Sequence, residues 1–368
     1  MSEFRVNSIT NQDGSAGPQV CGVSTFSRKS GVQIPSGSSD FRRQDGGGRG
    51  RVIFSGGGTP TIVNTIDTIE IATLGNAVDF GDLPRVTVDT GSFASATRGF
   101  TAGGYDPGYL SAIDFVVFSS GGGGNTFGNL DTATWGINCL SSSTRGIMGG
   151  GRANPSNGGI ALYNGGYLDR MVFVETSSDG QDASRFGDLI APQDKGLTIG
   201  QTINLTMATF ASPTRGVFCG GGTPRQKFIQ FITIATKGDS QDFGNLTEKT
   251  SRASGLSNST RGIIAGGFHD GSPASVRVNV IEFVTIATLG NAVDFGDLTL
   301  DRTELSAVSD PTRAVINGGY RAPDSVSTTT NIMDFISFAT TGNAQDFGDL
   351  NTATSFRPGA TSSGHGGL

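Results

Sequence analysis

The sequence predicts an all-β protein in which six repeated sheets form a closed propeller. One phrase recurs six times, most clearly at 259–299, where Ser-Thr-Arg-Gly opens a strand of small residues and Asp-Phe-Gly-Asp-Leu ends the copy. Most copies begin roughly 50 residues apart, a period typical of propellers and other repeat arrays. Glycine accounts for 58 of 368 residues but follows no Gly-X-Y period, so a turn-rich β fold is expected rather than collagen.

Each copy opens on an arginine and closes on a phenylalanine. The arginines are Arg51, Arg98, Arg145, Arg215, Arg261 and Arg313. The phenylalanines are Phe80, Phe127, Phe186, Phe243, Phe295 and Phe347. We expect each phenylalanine to anchor its sheet against a neighbour, where burial contributes roughly 1.5–3 kcal/mol. We expect each arginine to hydrogen-bond to carbonyls or carboxylates at blade junctions, because its planar guanidinium carries five donors in a fork.

Aspartates follow the closing phenylalanines in most copies and are expected to accept backbone N–H groups in turns. They are Asp82, Asp188, Asp297 and Asp349. The third copy has Arg185 where most others have aspartate, so its pairing is expected to differ.

Each copy contains four candidate strands, which we name a, b, c and d. Strand b starts at the arginine and ends on paired glycines, as at 98–104, and its small side chains suit a place near a crowded axis. Strand c is a longer β-branched and aromatic run, as at 281–286. A glycine turn such as 74–76 joins it to the short strand d. Strand a precedes each arginine except Arg51.

The missing first strand has a counterpart at the other end of the chain. A candidate strand a follows the sixth copy at 356–364. We expect this C-terminal strand to complete the first blade and close the ring, which removes open sheet edges. The predicted domains are an N-terminal attachment arm, residues 1–48, and a six-bladed propeller, residues 49–368.

The predicted arm lacks the repeat and ends in a glycine-rich hinge at 45–50. An extended arm is expected, because so few apolar residues cannot bury a core of their own. It either packs on the propeller or attaches to another protein. Its candidate attachment residues are Phe4, Val6, Ile9, Val20, Val23 and Ile34.

Two stretches lengthen the period, 152–167 and 190–206. Long loops on one rim of a repeat ring are common binding faces. The third copy is therefore the expected contact surface, with a degenerate seventh blade as the alternative.

Composition excludes several classes of partner. Charged residues are 16% of the chain and the net charge is −6 without a basic run, which argues against nucleic acid. No apolar run approaches the roughly 18 residues of a membrane span, and the start lacks a signal-peptide layout. The widely spaced Cys21, Cys139 and Cys219 are expected to be buried free thiols.

No catalytic, cofactor-binding or metal-binding residue is expected. Asp-Phe-Gly, first seen at 79–81, spells the magnesium triplet of protein kinases, but the kinase loops are missing and a catalytic triplet is not needed four times. Neither a calcium β-roll pattern nor a P-loop is present. His269 and His365 each stand alone in glycine-rich segments and are expected to be solvated. An enzyme is the least favoured class.

The strand order, with strand b ending on Gly-Gly, resembles the kelch repeat, although the usual kelch tyrosine and tryptophan are mostly missing. The amino-acid sequence of the repeat is more similar to repeats in virion proteins of tailed phages that infect marine cyanobacteria. There S-T-R-G-x-x-x-G-G and I-A-T-x-G-N-A-x-D-F-G-D-L recur, as they do at 259–267 and 286–298. The head at 4–14 and the ending at 363–368 also resemble those proteins.

This resemblance implies a six-bladed kelch-like β-propeller in a non-enzymatic virion structural protein. It would be an appendage of the tail, neck or capsid, such as a tail fibre or capsid decoration, whose arm binds another virion protein. The alternative is a host-receptor or glycan-binding module of the adsorption apparatus. Both readings imply localisation in the virion after synthesis in the host cytoplasm, without a cofactor, nucleic acid or membrane insertion. The virion substructure, the receptor and any homo-oligomer are left open.

Overall fold

The structure, a computed structural model, describes residues 19–20, 23–24, 26–27, 31–32, 50–59, 61–120, 122–154, 166–191, 204–222, 224–270, 276–321, 328–354, 358–365 and 367. The chain divides into two compact units, Met1–Gly47 and Gly48–Leu368. In the first unit, Gln19–Val20 pairs with Val23–Ser24, and Phe26–Ser27 pairs with Gly31–Val32. The candidate attachment residues Phe4, Val6, Ile9 and Ile34 lie outside the described residues.

The second unit is a six-bladed β-propeller. Its blades are antiparallel sheets whose strands lie side by side in the order a, b, c, d. All regular secondary structure in the described residues is β-strand. The predicted fold class is therefore confirmed.

The strand bounds are given for blades 1 to 6 in order. Strand a comprises Gly359–Ser362, Gly91–Ala94, Asn138–Ser141, Ala208–Ala211, Ser254–Ser257 and Ser306–Ser309. Strand b comprises Arg51–Ser55, Arg98–Ala102, Arg145–Gly149, Arg215–Cys219, Arg261–Ala265 and Arg313–Asn317. Strand c comprises Thr65–Glu70, Ala112–Val117, Arg170–Glu175, Gln226–Thr233, Val280–Thr285 and Thr328–Ser337. Strand d comprises Val78–Asp82, Asn125–Asn129, Ser184–Asp188, Gln241–Ser251, Val293–Asp297 and Gln345–Thr354.

Further short strands lie within the connections between these elements. They are Gly58–Thr59, Thr61–Ile62, Thr134–Trp135, Arg152–Ala153, Phe268–His269, Val276–Arg277 and Tyr320–Arg321. The described parts of 152–167 and 190–206 form no further four-stranded sheet, so the ring has six blades.

The C-terminal strand closes the ring, as the sequence predicted. Gly359–Ser362 pairs antiparallel with Arg51–Ser55, and Ala360 lies opposite Phe54. Blade 1 is thus built from both ends of the propeller unit. The backbone hydrogen bonds of this one sheet hold the first and last strands together.

Strand a, rather than strand b, is the innermost strand. Residues from all six a strands line one axial channel, and strand b lies second from the axis. The small residues of strand b have another cause, since strand a of the preceding blade packs over them. A Cβ on Gly146 would lie 2.1 Å from the ring of Phe93, and a Cβ on Gly262 would lie 1.9 Å from that of Phe210. The crowding occurs between blades, not at the axis.

The propeller has two different faces. The a–b and c–d turns, such as 95–97 and 71–77, lie on one side, which we call the turn face. The b–c and d–a connections, such as 103–111 and 83–90, lie on the other side, which we call the loop face.

The hydrophobic core consists of six clusters, each lying between two neighbouring blades. Phe295 of blade 5, for example, packs with Ile336 and Phe338 of blade 6. Five of the six closing phenylalanines are at most 5% exposed, and only Phe80 is half-buried. Those five also meet a phenylalanine of strand c edge to face, as Phe283 meets Phe295 at 5.9 Å between ring centroids.

Replacing Phe295 with alanine is expected to destabilise the propeller by about 3–5 kcal/mol, because it leaves a cavity between two blades. The matched control is Phe80→Ala, at the equivalent but half-exposed position, which should cost less. Thermal unfolding measured by circular dichroism compares the two. Equal melting temperatures for Phe295→Ala and the unmodified protein would contradict the anchor role.

Candidate functional site

The repeated arginines join each blade to the next at the turn face. In every blade the arginine Nη1 donates to a backbone carbonyl just after strand c of the following blade, over 2.6–3.3 Å. The last of these contacts, from Arg313 to the carbonyl of Ala72, crosses from blade 6 to blade 1. Each guanidinium also lies 4.8–5.8 Å from the centre of a phenylalanine ring. The junction partners are thus mainly carbonyls, one of the two alternatives that we expected, and Arg98 also lies 3.7 Å from a carboxylate of the following blade, that of Asp179.

The phrases Gly-Asn-Ala and Phe-Gly-Asp are the two halves of one backbone contact, which we call the clasp. Between blades 5 and 6, the N–H groups of Gly342 and Ala344 donate to the carbonyls of Phe295 and Asp297 at 2.8 and 2.7 Å. The N–H of Asp297 donates in return to Oδ1 of Asn343 at 3.1 Å. The turn of one blade therefore pairs with strand d of the preceding blade.

The clasp recurs around the ring with small changes. Its side-chain acceptor is Asn76, Asp182, Asp239, Asn291 or Asn343. The aspartates that were expected to accept backbone N–H groups do so here through their backbone carbonyls. The carbonyls of four of them accept N–H groups of the following blade: Asp82, Asp188, Asp297 and Asp349. Arg185 differs from the aspartates at its position in donating to both carboxylate oxygens of Asp188, at 2.6 and 2.5 Å.

The glycine inside Phe-Gly-Asp is required by the clasp. Gly296 has φ +150, and a Cβ there would lie 2.4 Å from the carbonyl oxygen of Gly342. Backbone approaches this close leave no room for a side chain. The repeated phrase is therefore explained by contact between blades.

Buried polar side chains of strand c form a second tier of junction contacts near the loop face. Asp334 accepts from Oγ1 of Thr299 and from Nη2 of Arg302, each at 2.7 Å, and both donors follow strand d of the preceding blade. Arg302 and Asp334 are fully buried. Burial lowers the pKa of the Arg302 guanidinium, and the Asp334 carboxylate opposes that shift.

Glu282 and Asp114 occupy the same strand position in blades 5 and 2. Glu282 accepts from Oγ1 of Thr247, and Asp114 pairs with Nε of Arg85 at 2.9 Å. Burial raises the pKa of both carboxyl groups. Blade 4 has Gln230 here, which contacts Asn204 and Ser240 without carrying a charge.

The axial channel is narrow. Serine, alanine and threonine side chains of strand a line it together with larger ones such as Phe93 and Phe210, and its two cavities measure about 80 and 90 Å³. Such volumes hold a few water molecules. Cys139 lies on this wall and Cys219 lies within a blade junction; both are buried and outside any disulfide, as predicted. Cys21 lies outside the described residues.

His365 is partly buried, contrary to the prediction that it is solvated. Its Nε2 lies 3.0 Å from the carbonyl of Ala94 and 3.2 Å from Oγ of Ser141. The N–H of Gly367 donates to its Nδ1 at 3.0 Å. The chain end therefore crosses from blade 1 to blades 2 and 3, a contact that local sequence does not reveal. His269 is also partly buried, in strand Phe268–His269, and burial lowers its pKa.

At the loop-face end of the channel, the residue two places before strand a adopts a left-handed conformation in blade after blade. These residues are Asp89, Gly136, Thr206, Arg252 and Glu304, with φ between 52° and 63°. Their backbones also bond to one another, as when the N–H of Glu304 donates to the carbonyl of Arg252 at 3.2 Å. A left-handed conformation costs a residue other than glycine about 1–2 kcal/mol. Gly136 shows that the ring accepts glycine here.

A large cavity opens over this ring of residues. We call it the loop-face cavity; its volume is about 710 Å³. Its lining residues are Asp89, Trp135, Leu205, Thr206, Gly222, Pro224, Arg225, Ser251, Arg252, Phe268, Asp270 and Glu304. A concave site with aromatic walls and a few placed polar groups is the usual form of a small-ligand site.

Two ion pairs hold the polar groups of the loop-face cavity. Nη1 of Arg225 lies 2.7 Å from Asp270, and Nη1 of Arg252 pairs with Oε1 of Glu304. Both guanidiniums also lie over Phe268, at 5.1 and 5.8 Å from the ring centre. The second oxygen of Glu304, Oε2, is enclosed in the cavity wall and accepts no hydrogen bond from the described residues.

The repeat pattern does not single out these cavity residues, because they lie where the repeat varies. We expected a binding surface at 190–206, and Leu205 and Thr206 line the cavity at the end of that stretch. Residues 155–165 and 192–203 lie outside the described residues. A usable signal was the position two residues before strand a, where one copy has Gly136 and other copies have polar or charged residues such as Arg252 and Glu304.

No protein-family model matches the chain, and no curated protein matches it. In the part of the chain that the structure describes, no helix could span a membrane. Within the same residues, no group of His, Cys, Asp and Glu side chains could hold a metal ion.

Replacing Glu282 with glutamine is expected to stabilise the propeller at pH 7. The raised pKa means that ionised Glu282 is disfavoured in the folded state, so its contribution is complete below pH 4.5 and is lost as pH rises through the folded pKa. Gln230 shows that an amide fits this strand position. Melting temperatures of both proteins from pH 4 to pH 8 test this. A variant that is less stable at pH 7 would contradict it.

Proposed function

We propose that this chain is a non-enzymatic structural protein of a virion, an appendage of the tail, neck or capsid. Residues 1–48 attach it to another virion protein, and the propeller projects from the particle. The observation that carries this proposal is the use of the repeated phrase. Its arginines, phenylalanines and glycines all make contacts between blades, as expected of a rigid scaffold that displays other residues.

Two further observations support the proposal. The phrases of the sequence resemble those of virion proteins from phages of marine cyanobacteria over nearly the whole chain. Residues Met1–Gly47 also form a compact unit of their own, distinct from Gly48–Leu368.

Deleting residues 1–48 is expected to abolish incorporation into particles and to leave the melting temperature of the propeller nearly unchanged. Mass spectrometry of purified particles measures incorporation. The matched control fuses residues 1–48 to an unrelated reporter, which should then enter particles. If the truncated chain is incorporated as well as the full chain, the attachment role is wrong.

A second candidate function is binding to a host receptor or glycan. The loop-face cavity favours it, because its volume and its aromatic and charged lining suit a small ligand or the end of a glycan. The arginine contacts between blades lie on the turn face, whereas the cavity lies on the opposite, loop face. A ligand in the cavity would therefore not compete with those contacts.

The full-length protein is expected to bind cells of the cyanobacterial host through the loop-face cavity. Fluorescently labelled protein measures this binding, and Phe268→Ala should reduce it. Phe80→Ala, at the outer strand of blade 1, is the control that should leave binding intact. Cell binding that is equal for Phe268→Ala and the unmodified protein would exclude this cavity as the contact surface.

A further inference from the structure

Arg277 is a cation held by aromatic contacts beside the loop-face cavity. Its guanidinium lies 5.0 Å from the ring centre of Phe268, which lines the cavity, and 5.5 Å from that of Tyr320. The repeated arginines of the propeller donate to carbonyls, whereas Arg277 makes neither a hydrogen bond nor an ion pair with any residue that the structure describes. Contact with two rings therefore sets its position, while its hydrogen-bonding capacity stays unused.

The three nitrogens of this guanidinium differ in their access to a ligand. Nε of Arg277 is buried and has no hydrogen-bond partner among the described residues. Nη1 and Nη2 also lack a described partner, but they are not buried, so a group from outside the chain can reach them. Two neighbouring guanidinium nitrogens bind a carboxylate through two parallel hydrogen bonds. The accessible end of Arg277 therefore offers the geometry that a carboxylate needs.

Two neighbouring arginines show which kind of anion suits this place. Arg225 and Arg252 contact the same Phe268 ring, at 5.1 and 5.8 Å from its centre. Each of them is already paired with a carboxylate of the chain, Arg225 with Asp270 and Arg252 with Glu304. Two of the three guanidiniums on this ring thus bind a carboxylate, and the third has none.

The described part of the chain does not supply the third carboxylate. Asp89, the remaining carboxylate of the cavity lining, is engaged by another group. The backbone holds Arg277 in place, because it lies opposite Phe268 in the pairing of two short strands, Val276–Arg277 and Phe268–His269. A carboxylate from a ligand would therefore meet a cation that is already positioned, which lowers the entropic cost of binding.

The surroundings of Arg277 favour a saccharide over a peptide as the source of this carboxylate. An extended peptide commonly binds by adding a strand to a sheet edge. The edge strand here, Val276–Arg277, is only two residues long. The adjoining cavity of about 710 Å³ has the volume of a small-ligand site, and Trp135 gives its wall an aromatic surface of the kind that packs on sugar rings.

We propose that the loop face binds an acidic saccharide, with a sugar carboxylate accepting from Nη1 and Nη2 of Arg277 and neighbouring sugar units lying in the loop-face cavity. This inference rests on the receptor-binding function proposed above and names its ligand class. The acid group sets the preference, because a neutral sugar leaves the guanidinium of Arg277 unpaired.

Calorimetric titration of the full-length protein tests the ligand class. The probes are trigalacturonate, trimannuronate and triguluronate, each compared with its methyl ester, which has the same sugar units without the charge. At least one acidic trimer should bind saturably, and its ester should bind at least tenfold more weakly, the usual effect of losing a hydrogen bond to a charged group. Absence of binding by all three acids, or an ester that binds as tightly as its acid, would overturn the proposal.

Substitution of Arg277 tests the contact itself. Arg277→Gln should lower the affinity for the acidic trimer about tenfold or more, and Arg277→Lys should lower it less, because lysine keeps the charge but not the planar fork. Arg185→Gln is the matched control, since it removes the same charge from an exposed arginine that pairs with Asp188 in blade 3. Unchanged affinity in Arg277→Gln would overturn the assignment.

Thermal melting establishes whether Arg277→Gln is folded. If it is not, the comparison of acid and ester on the unmodified protein decides the question. Triglutamate tests the peptide alternative, and tighter binding of triglutamate than of any acidic trisaccharide would overturn the saccharide class.

Adhesion of the labelled full-length protein to host cells separates this inference from the receptor function. Adhesion that Arg277→Gln leaves unchanged refutes the inference alone. Absence of adhesion, together with absence of binding to any acidic trimer, refutes the receptor function as well.

Discussion

The propeller depends on the clasp between strand d of one blade and the c–d turn of the next. Three backbone and side-chain hydrogen bonds join Phe295–Asp297 to 342–344, and the arrangement recurs around the ring. Strand d is the last strand of the regular four-stranded order, so its outer backbone would otherwise meet only water. The clasp satisfies part of that backbone and sets the distance between blades. It explains why Gly-Asn-Ala and Phe-Gly-Asp recur together: each is the partner of the other, one blade away.

The other repeated residues reinforce the same junction from either side. On the turn face, arginines such as Arg261 link neighbouring blades by donating to a carbonyl of the following blade. Nearer the loop face, buried groups such as Asp334 link neighbouring blades by accepting from a donor of the preceding blade. The phenylalanines fill the space between these polar tiers. All of these repeated groups act between blades, whereas the side chains that line the loop-face cavity differ from blade to blade. That variation gives the cavity an asymmetric lining.

Several features of the fold could be predicted from the sequence, because they repeat or because one copy lacks an element. The six blades, the order of the strands and the closing strand Gly359–Ser362 follow from a period and from a missing first strand. The position of strand a at the axis was not accessible, because the small residues of strand b have two explanations that sequence cannot separate. Only the contact between Gly146 and Phe93, residues of different blades, decides between them. The partial burial of His365 was missed for the same reason, since its partners Ala94 and Ser141 are more than 200 residues away.

The sequence by itself determined the repeat, and with it the number of blades and the residues that hold them together, because repetition exposes every position that packing constrains. The tertiary structure alone decided which non-repeated residues meet. Trp135, Arg252, Phe268 and Glu304 come from three blades, and only Arg252 and Glu304 share a repeat position, yet ring closure brings all four to one cavity. The physical reason is that a ring converts equivalent positions in successive blades into neighbours around one axis. A cavity on that axis is therefore lined by residues that differ between copies, a combination that no single copy contains.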